Sequence, residues 1–281
     1  MAETTASPTQ GPLWVATTEL DGAWQMAIDS WLLDQGRPAF RLYRWRRPTL
    51  SLGFHQRQLE PHWPELVNKG VIDLVRRPSG GRAVLHAGSL TYALVWPSPP
   101  PSRREAYRLS CVWLQLAFET LGLPLVFGDQ AANLQGSNCF ALSTAADLVH
   151  AGGSKRIGSA QLWRRGQLLQ HGSILLDPPK ALWQQVFGQE PPPLPELPVG
   201  PDQLEQCLLN AAGQALPEAL RGGLIGAPDG ASNGARPRVL EAHELAQIAG
   251  RIPDHQLASI PPTSPVATMV RTTWGKPRPR G

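Results

Sequence analysis

The sequence predicts a mixed α/β protein on three observations. Apolar residues recur at helical spacing over 21–36 and 104–121. They alternate in extended runs over 40–45, 90–96 and 168–176. Glycine- and proline-bearing turns separate these runs, so helices and strands interleave along the chain. With 281 residues and 42% hydrophobic content, the chain can bury a substantial core.

Taken in order, residues 1–12 are polar and read as a flexible leader. In 21–36, Trp24, Ile28, Trp31 and Leu32 share one face, Asp21 can cap and Gly36 can stop, which predicts an amphipathic helix. The runs 40–45 and 48–55 read as a pair of strands. A short helix over 61–69 leads into a strand over 70–76, and the prolines of 97–102 break the chain. One helix is expected over 104–121, with Tyr107, Cys111, Leu114 and Phe118 on one face and Cys111 therefore a core residue. A polar loop over 128–138 precedes Cys139. Strands over 155–163 and 168–176 are joined by a turn at 164–167.

Beyond 178 the texture changes. Residues 189–202 are proline-rich, helices are expected near 203–216 and 239–249, and a glycine-rich stretch separates them. The expected organisation is a leader over 1–12, a catalytic domain over 13–188, and a connector with C-terminal helices and a basic tail over 189–281.

Composition narrows the function classes. Lysine and arginine number 26 against 22 aspartate and glutamate, too weak an excess to predict nucleic-acid binding. A mildly basic face equally suits an acidic protein partner. There is no secretory leader and no apolar run of membrane-spanning length, so a soluble cytoplasmic protein is expected. Cys111, Cys139 and Cys207 are odd in number and widely spaced, which argues against disulfides and against a metal site.

The stretch 75–96, VRRPSGGRAVLHAGSLTYALVW, carries the first functional signal. Gly80 and Gly81 allow positive φ and close backbone approach to a ligand, Arg76 and Arg77 place charge before them, and a stiff strand follows. Alone, such a turn reads more readily as an ordinary basic hairpin. However, RRPSGGRAVLHAGSLTYALV resembles the RRxTGGxxVxHxxxLTYS signature of the biotin/lipoate protein ligase and octanoyltransferase superfamily, departing at Ser79 where threonine is usual. A second stretch over 152–177, GGSKRIGSAQLWRRGQLLQHGSILLD, resembles that superfamily's GxKIxGSAQxRxxGxxLQHGSILLD block. The resemblance covers roughly residues 20–178.

It implies an α/β fold with a mixed, largely antiparallel sheet flanked by helices. It also implies a site. CFALSTAADL at 139–148 is similar to the CFxxPSxYEL block of the octanoyltransferase branch, without its proline and tyrosine, and so marks Cys139 as the acyl-accepting nucleophile. A thiolate suits that task because it attacks a thioester to give another of similar energy, which an amine then cleaves. Lys155 is implied to hold the acyl carbonyl and assist proton transfer, with Arg156 the competing assignment. Arg76, Arg77, Ser79, Gly80, Gly81, Arg82, Val84, His86, Gly158, Ser159, Ala160, Gln161, His171 and Gly172 are implied to bind substrate. A lone histidine or lysine at any of these places would otherwise read as packing or surface.

The activity implied is octanoyl or lipoyl transfer from an acyl carrier protein to a lysine of a lipoyl domain or of the glycine cleavage H protein, with no cofactor. The alternative is a lipoate-protein ligase using ATP and Mg. A non-enzymatic lipoate sensor is also compatible with the fold.

Overall fold

The computed structural model describes residues 11–128, 147–221 and 237–258. In chain order, the first half comprises β1 (Leu13–Leu20), α1 (Gly22–Asp34), β2 (Ala39–Trp45), β3 (Thr49–Leu52), α2 (Trp63–Asn68), β4 (Asp73–Arg76), β5 (Val84–His86), β6 (Ser89–Trp96), α3 (Arg103–Leu109) and α4 (Val112–Thr120). The rest comprises β7 (Val126–Phe127), β8 (Leu148–Val149), β9 (Lys155–Arg164), β10 (Gln167–Leu175), α5 (Lys180–Phe187), α6 (Pro201–Ala215), α7 (Glu218–Arg221), α8 (Ala242–Ala249), α9 (Ile252–His255) and β11 (Gln256–Ala258).

Seven strands form the main sheet in the order β1-β2-β6-β10-β9-β8-β7, and four form a smaller one in the order β11-β4-β3-β5. Among the described strands of the main sheet only β1 and β2 run parallel, so the expected mixed, largely antiparallel sheet with flanking helices is what the chain adopts. Its centre is the β9–β10 hairpin. There Arg165 and Gly166 both take positive φ, 52° and 78°, the backbone twist that a two-residue hairpin loop requires.

Helices cover both faces of this sheet. Phe40, Tyr92, Leu94 and Ile174 bury one face against Trp113, Leu114 and Phe118 of α4 and against Leu204 and Leu208 of α6. Tyr43, Ala93, Val95 and Leu169 bury the other against Trp24, Ile28 and Trp31 of α1, with Ile248 of α8 and Ile252 of α9 behind. The small sheet has its own core, where Leu50, Leu52, Leu74 and Leu85 meet Trp63 and Trp183.

Three local expectations are corrected. Helix α1 is not amphipathic: sandwiched between the sheet and α8–α9, it buries eleven residues, Gln25 and Asp29 among them. The runs 40–45 and 48–55 do not pair, since β2 lies between β1 and β6 while β3 lies between β4 and β5. The chain leaves one sheet at Arg46, whose N–H bonds Leu20, and enters the other at Pro48, whose carbonyl accepts from Asp73. Finally, the single helix expected over 104–121 breaks between α3 and α4. The N–H of Cys111 bonds back three residues to Arg108, and Trp113 takes the Ser110 carbonyl with its indole N–H at 2.9 Å.

Candidate functional site

The glycine loop spans 77–83, between β4 and β5. Those strands are not neighbours, because β3 lies between them, so the segment crosses over the end of β3 and is no hairpin turn. Its shape is pinned from both sides. Arg77 is 5% exposed and donates to the carbonyls of Gly80 at 2.7 Å, Arg82 at 2.7 Å and Ser51 at 2.8 Å. Arg76 donates to Gly53 at 2.8 Å and Gln56 at 2.7 Å. Phe54 N–H reaches the Ser79 carbonyl, and Gly53 abuts the loop so closely that a Cβ there would lie 1.9 Å from the Gly81 oxygen. Gly81 itself holds φ at +95°. Arg77 therefore shapes the loop through its own carbonyls, while Arg76 holds the 53–56 segment that abuts it.

Beneath the loop a buried polar chain runs through Ser79, His171 and Asp29. Ser79 Oγ lies 2.5 Å from His171 Nε2, and His171 Nδ1 lies 2.8 Å from Asp29 Oδ2. The Asp29 carboxylate also accepts from Tyr43 at 3.0 Å and twice from Arg41, at 2.7 and 3.0 Å. Burial pushes the Asp29 carboxyl up, but Arg41 and His171 together outweigh it and hold it below its ordinary 3.8. The ionised carboxylate accepts the Nδ1 proton of His171, and Ser79 Oγ is hydrogen-bonded to Nε2 on the other side of the ring.

Next to this chain, His86 Nε2 lies 2.8 Å from Ser51 Oγ, and its ring stacks on Trp45 at 3.9 Å. Burial and then the Arg77 charge drive its pKa well below 6.5, so His86 is neutral. Its Nδ1 is buried without a hydrogen-bond partner among the described residues.

Strand β9 carries the rest of the site. Leu148 pairs with Ile157 but Val149 pairs with Lys155, so Arg156 is one extra residue, a β-bulge. That bulge decides which face Lys155 occupies. Ile157 lies on the α4 face, and unbroken alternation would put Lys155 there too. Pairing with Val149 instead turns Lys155 to the face of Gly158, Ala160 and His171, where its Nζ meets Asp147 Oδ1 at 2.9 Å. Arg156 is fully buried, donating to His150 Nε2 at 2.9 Å, Leu175 O at 2.9 Å and Pro195 O at 2.5 Å.

Thus one face carries Lys155 at one end and the Ser79–His171–Asp29 chain at the other. Lys155 is five residues along β9 from Ala160, the partner of His171, or roughly 16 Å at the rise of an extended strand. Gly158 and Ala160, both part-exposed, are the small residues between. On β10 the same face carries Ser173, the partner of Gly158, beside His171.

Residues 21–192 match the lipoyl protein ligase A/B catalytic domain. The chain belongs to that family. The octanoyltransferase LipM of Halalkalibacterium halodurans is 36% identical over 181 residues, 58% of this chain and 65% of that protein. LipM of Kyrpidia tusciae is 32% identical over 241 residues, 74% of this chain and 88% of its own length. The chain thus spans about two thirds of the former relative and most of the latter. Among solved structures, a lipoate-protein ligase A bound with ATP shares the fold at a TM-score of 0.64 and 18% identity, covering 86% of this chain and 94% of that one.

Set beside this lipoyl-ligase-type fold, the expected site residues divide. Arg76, Arg77, Ser79, Gly80, Gly81, Arg82 and His86 cluster at the loop, Val84 opens β5 beside them, and His171, Gly158, Ala160 and Lys155 share the adjoining face. Ser159 and Gln161 point to the opposite face. There Ser159 bonds Tyr92 at 2.8 Å, and Gln161 bonds Gln170 at 2.9 Å. Gly172 also belongs to that face, where a Cβ would meet Ser159 Oγ at 2.4 Å and Tyr92 Cε1 at 2.5 Å. Cys139 lies outside the described residues. Of the other cysteines, Cys111 is sealed in the core and burial drives its thiol to about 12, while burial also raises Cys207. Asp29, Arg41 and Asp147 went unassigned in the sequence.

Among the described residues, no group of three or more His, Cys, Asp or Glu could hold a metal ion, and no helix is long and apolar enough to cross a membrane.

Proposed function

We propose that this protein transfers an octanoyl group from an acyl carrier protein to the lysine of a lipoyl domain or glycine cleavage H protein, in the cytoplasm and without a cofactor. The observation that carries the reading is the bulge-turned face on which Lys155, Gly158, Ala160 and His171 come together. The LipM relatives support the choice of octanoyl transfer within the family.

Cys139 is the proposed nucleophile. Its thiolate attacks the donor thioester carbonyl, the C–S bond to the carrier's arm breaks, and that arm leaves as a thiol. The acceptor amine then attacks the Cys139 thioester, forming the amide and returning the thiol with the amine's proton. Cys111 is unsuited to this step, since a thiol held near 12 and cut off from solvent is inert. Lys155, held by Asp147, donates to the acyl oxygen as charge develops on it. The acyl chain lies along Gly158 and Ala160. Asp29 and His171 are positioning residues that fix Ser79 and, through it, the loop beside the donor arm.

The test is a transfer assay with octanoyl-acyl carrier protein and a lipoyl domain, with and without ATP. Octanoyl-amide formation at equal rates in both supports the reading. Amide formation only from free lipoate or octanoate with ATP would replace it with a ligase, and binding of lipoate with neither reaction would leave a sensor.

A further inference from the structure

A cavity of about 260 Å³ opens between α2 and β11, on the side of the small sheet that carries Leu74. Its walls are mainly apolar, with Leu59, Val67, Leu74 and Leu257, but Arg57 and Arg76 also line it. Leu59 and Leu257 are 40% and 42% exposed, and nearby Phe54 is 48% exposed, so water covers apolar surface on the described chain.

The two arginines are like charges side by side. Burial, and then the Arg57 charge, lowers the pKa of Arg76. Arg76 gives its hydrogen bonds to the carbonyls of Gly53, Phe54 and Gln56, and among the described residues neither arginine pairs with a carboxylate. Adjacent guanidinium groups without a counter-charge repel, and a carboxylate placed across both relieves that. The cavity sits just below the usual 300–1,000 Å³ of small-molecule sites and is the size of a recess for one or two anchoring side chains of a protein partner.

Arg76 joins this recess to the proposed site. Its other contact, Gly53, abuts the Gly81 carbonyl, so a partner seated on Arg76 lies beside the glycine loop. We infer that the recess docks an acidic helix of the donor carrier protein, with a carboxylate across Arg57 and Arg76 and an apolar side chain between Leu59, Leu74 and Leu257. This rests on the transferase reading above for the identity of the donor.

The test uses the full chain and two variants, Arg57→Glu and Leu59→Asp, each checked for an unchanged Tm. Binding of octanoyl-acyl carrier protein is followed by fluorescence anisotropy at low and high salt, and octanoyl transfer is measured from that donor and from octanoyl-pantetheine. For both variants the expected result is binding weakened about tenfold, a matching rise in KM for the protein donor, and an unchanged rate from octanoyl-pantetheine. Wild-type binding should weaken with salt. Equal losses with both donors, or no loss with either, would overturn the docking site. If the wild type transfers octanoyl from neither donor, the transferase reading fails; anisotropy alone then decides the docking site, upheld by weaker binding in Arg57→Glu and overturned by equal binding.

Discussion

Asp29 accepts from Arg41, Tyr43 and His171 at once, and no side chain of the three is exposed enough for water to replace it. Replacing it by Asn leaves the Arg41 guanidinium buried without a counter-charge. The expected cost is about 3–5 kcal/mol in urea unfolding, because removing one partner of a buried pair strands the other. A loss under 1 kcal/mol, a surface pair's worth, would contradict the role given to it. Nothing in the sequence marked Asp29 as the hub. An aspartate between apolar helix positions reads as solvent-facing, and its partners stand 12, 14 and 142 residues away.

Histidines set the acid side of stability. Burial and then Arg156 depress His150 from 6.5 to about 4, and burial and then Arg77 depress His86 well below 6.5. A histidine kept neutral in the fold takes its proton first in the unfolded chain, so stability falls as pH drops from 6.5 towards 4. Asp29 acts in a lower window: its carboxyl is depressed, so its contribution is present above about 3.8 and is lost as pH falls below that. His150→Gln, which keeps an acceptor for Arg156, should flatten the Tm profile between pH 6.5 and 4. An unchanged slope would show that His150 is not among the groups responsible.

At the scale of elements, the loop over 77–83 depends on one glycine outside it. In Gly53→Ala the new Cβ meets backbone, the Gly81 oxygen at 1.9 Å, and no side-chain rotation relieves that. The loop must move by about an ångström, a displacement that costs on the order of 10²-fold in rate where it positions a reacting group. The kcat/KM for octanoyl transfer should fall accordingly, and a wild-type value would show that the loop does not position the donor. The loop and the β9–β10 hairpin were legible because Gly-Gly and RRGQ are local signals. The bulge at Arg156 was not, because it exists only as a mismatch between β9 and β8, and it decides which way Lys155 faces. Nor could alternation alone separate β2 from β3, since both are runs of the same texture and their partners lie elsewhere in the chain.

Across the whole molecule, the segments after 189 contribute to the same cores as those before it. Leu204 and Leu208 of α6 pack in the cluster of Trp113 and Phe118, and Ile248 and Ile252 pack against α1. Proline-rich texture hid this from the sequence, because a connector and the helices it delivers differ only in where they land. What the two motif stretches did yield was the family, since residues 21–192 match the lipoyl protein ligase A/B catalytic domain.

The central claim is that octanoyl rests covalently on Cys139 before it reaches the acceptor. Intact-mass spectrometry after mixing the protein with octanoyl-acyl carrier protein, without ATP or acceptor, tests it most directly. The account predicts a hydroxylamine-labile gain of one octanoyl group that is missing in Cys139→Ala and kept in Cys207→Ala. An adduct that survives in Cys139→Ala, or a wild type that transfers octanoyl to the acceptor yet never carries it, would contradict the account.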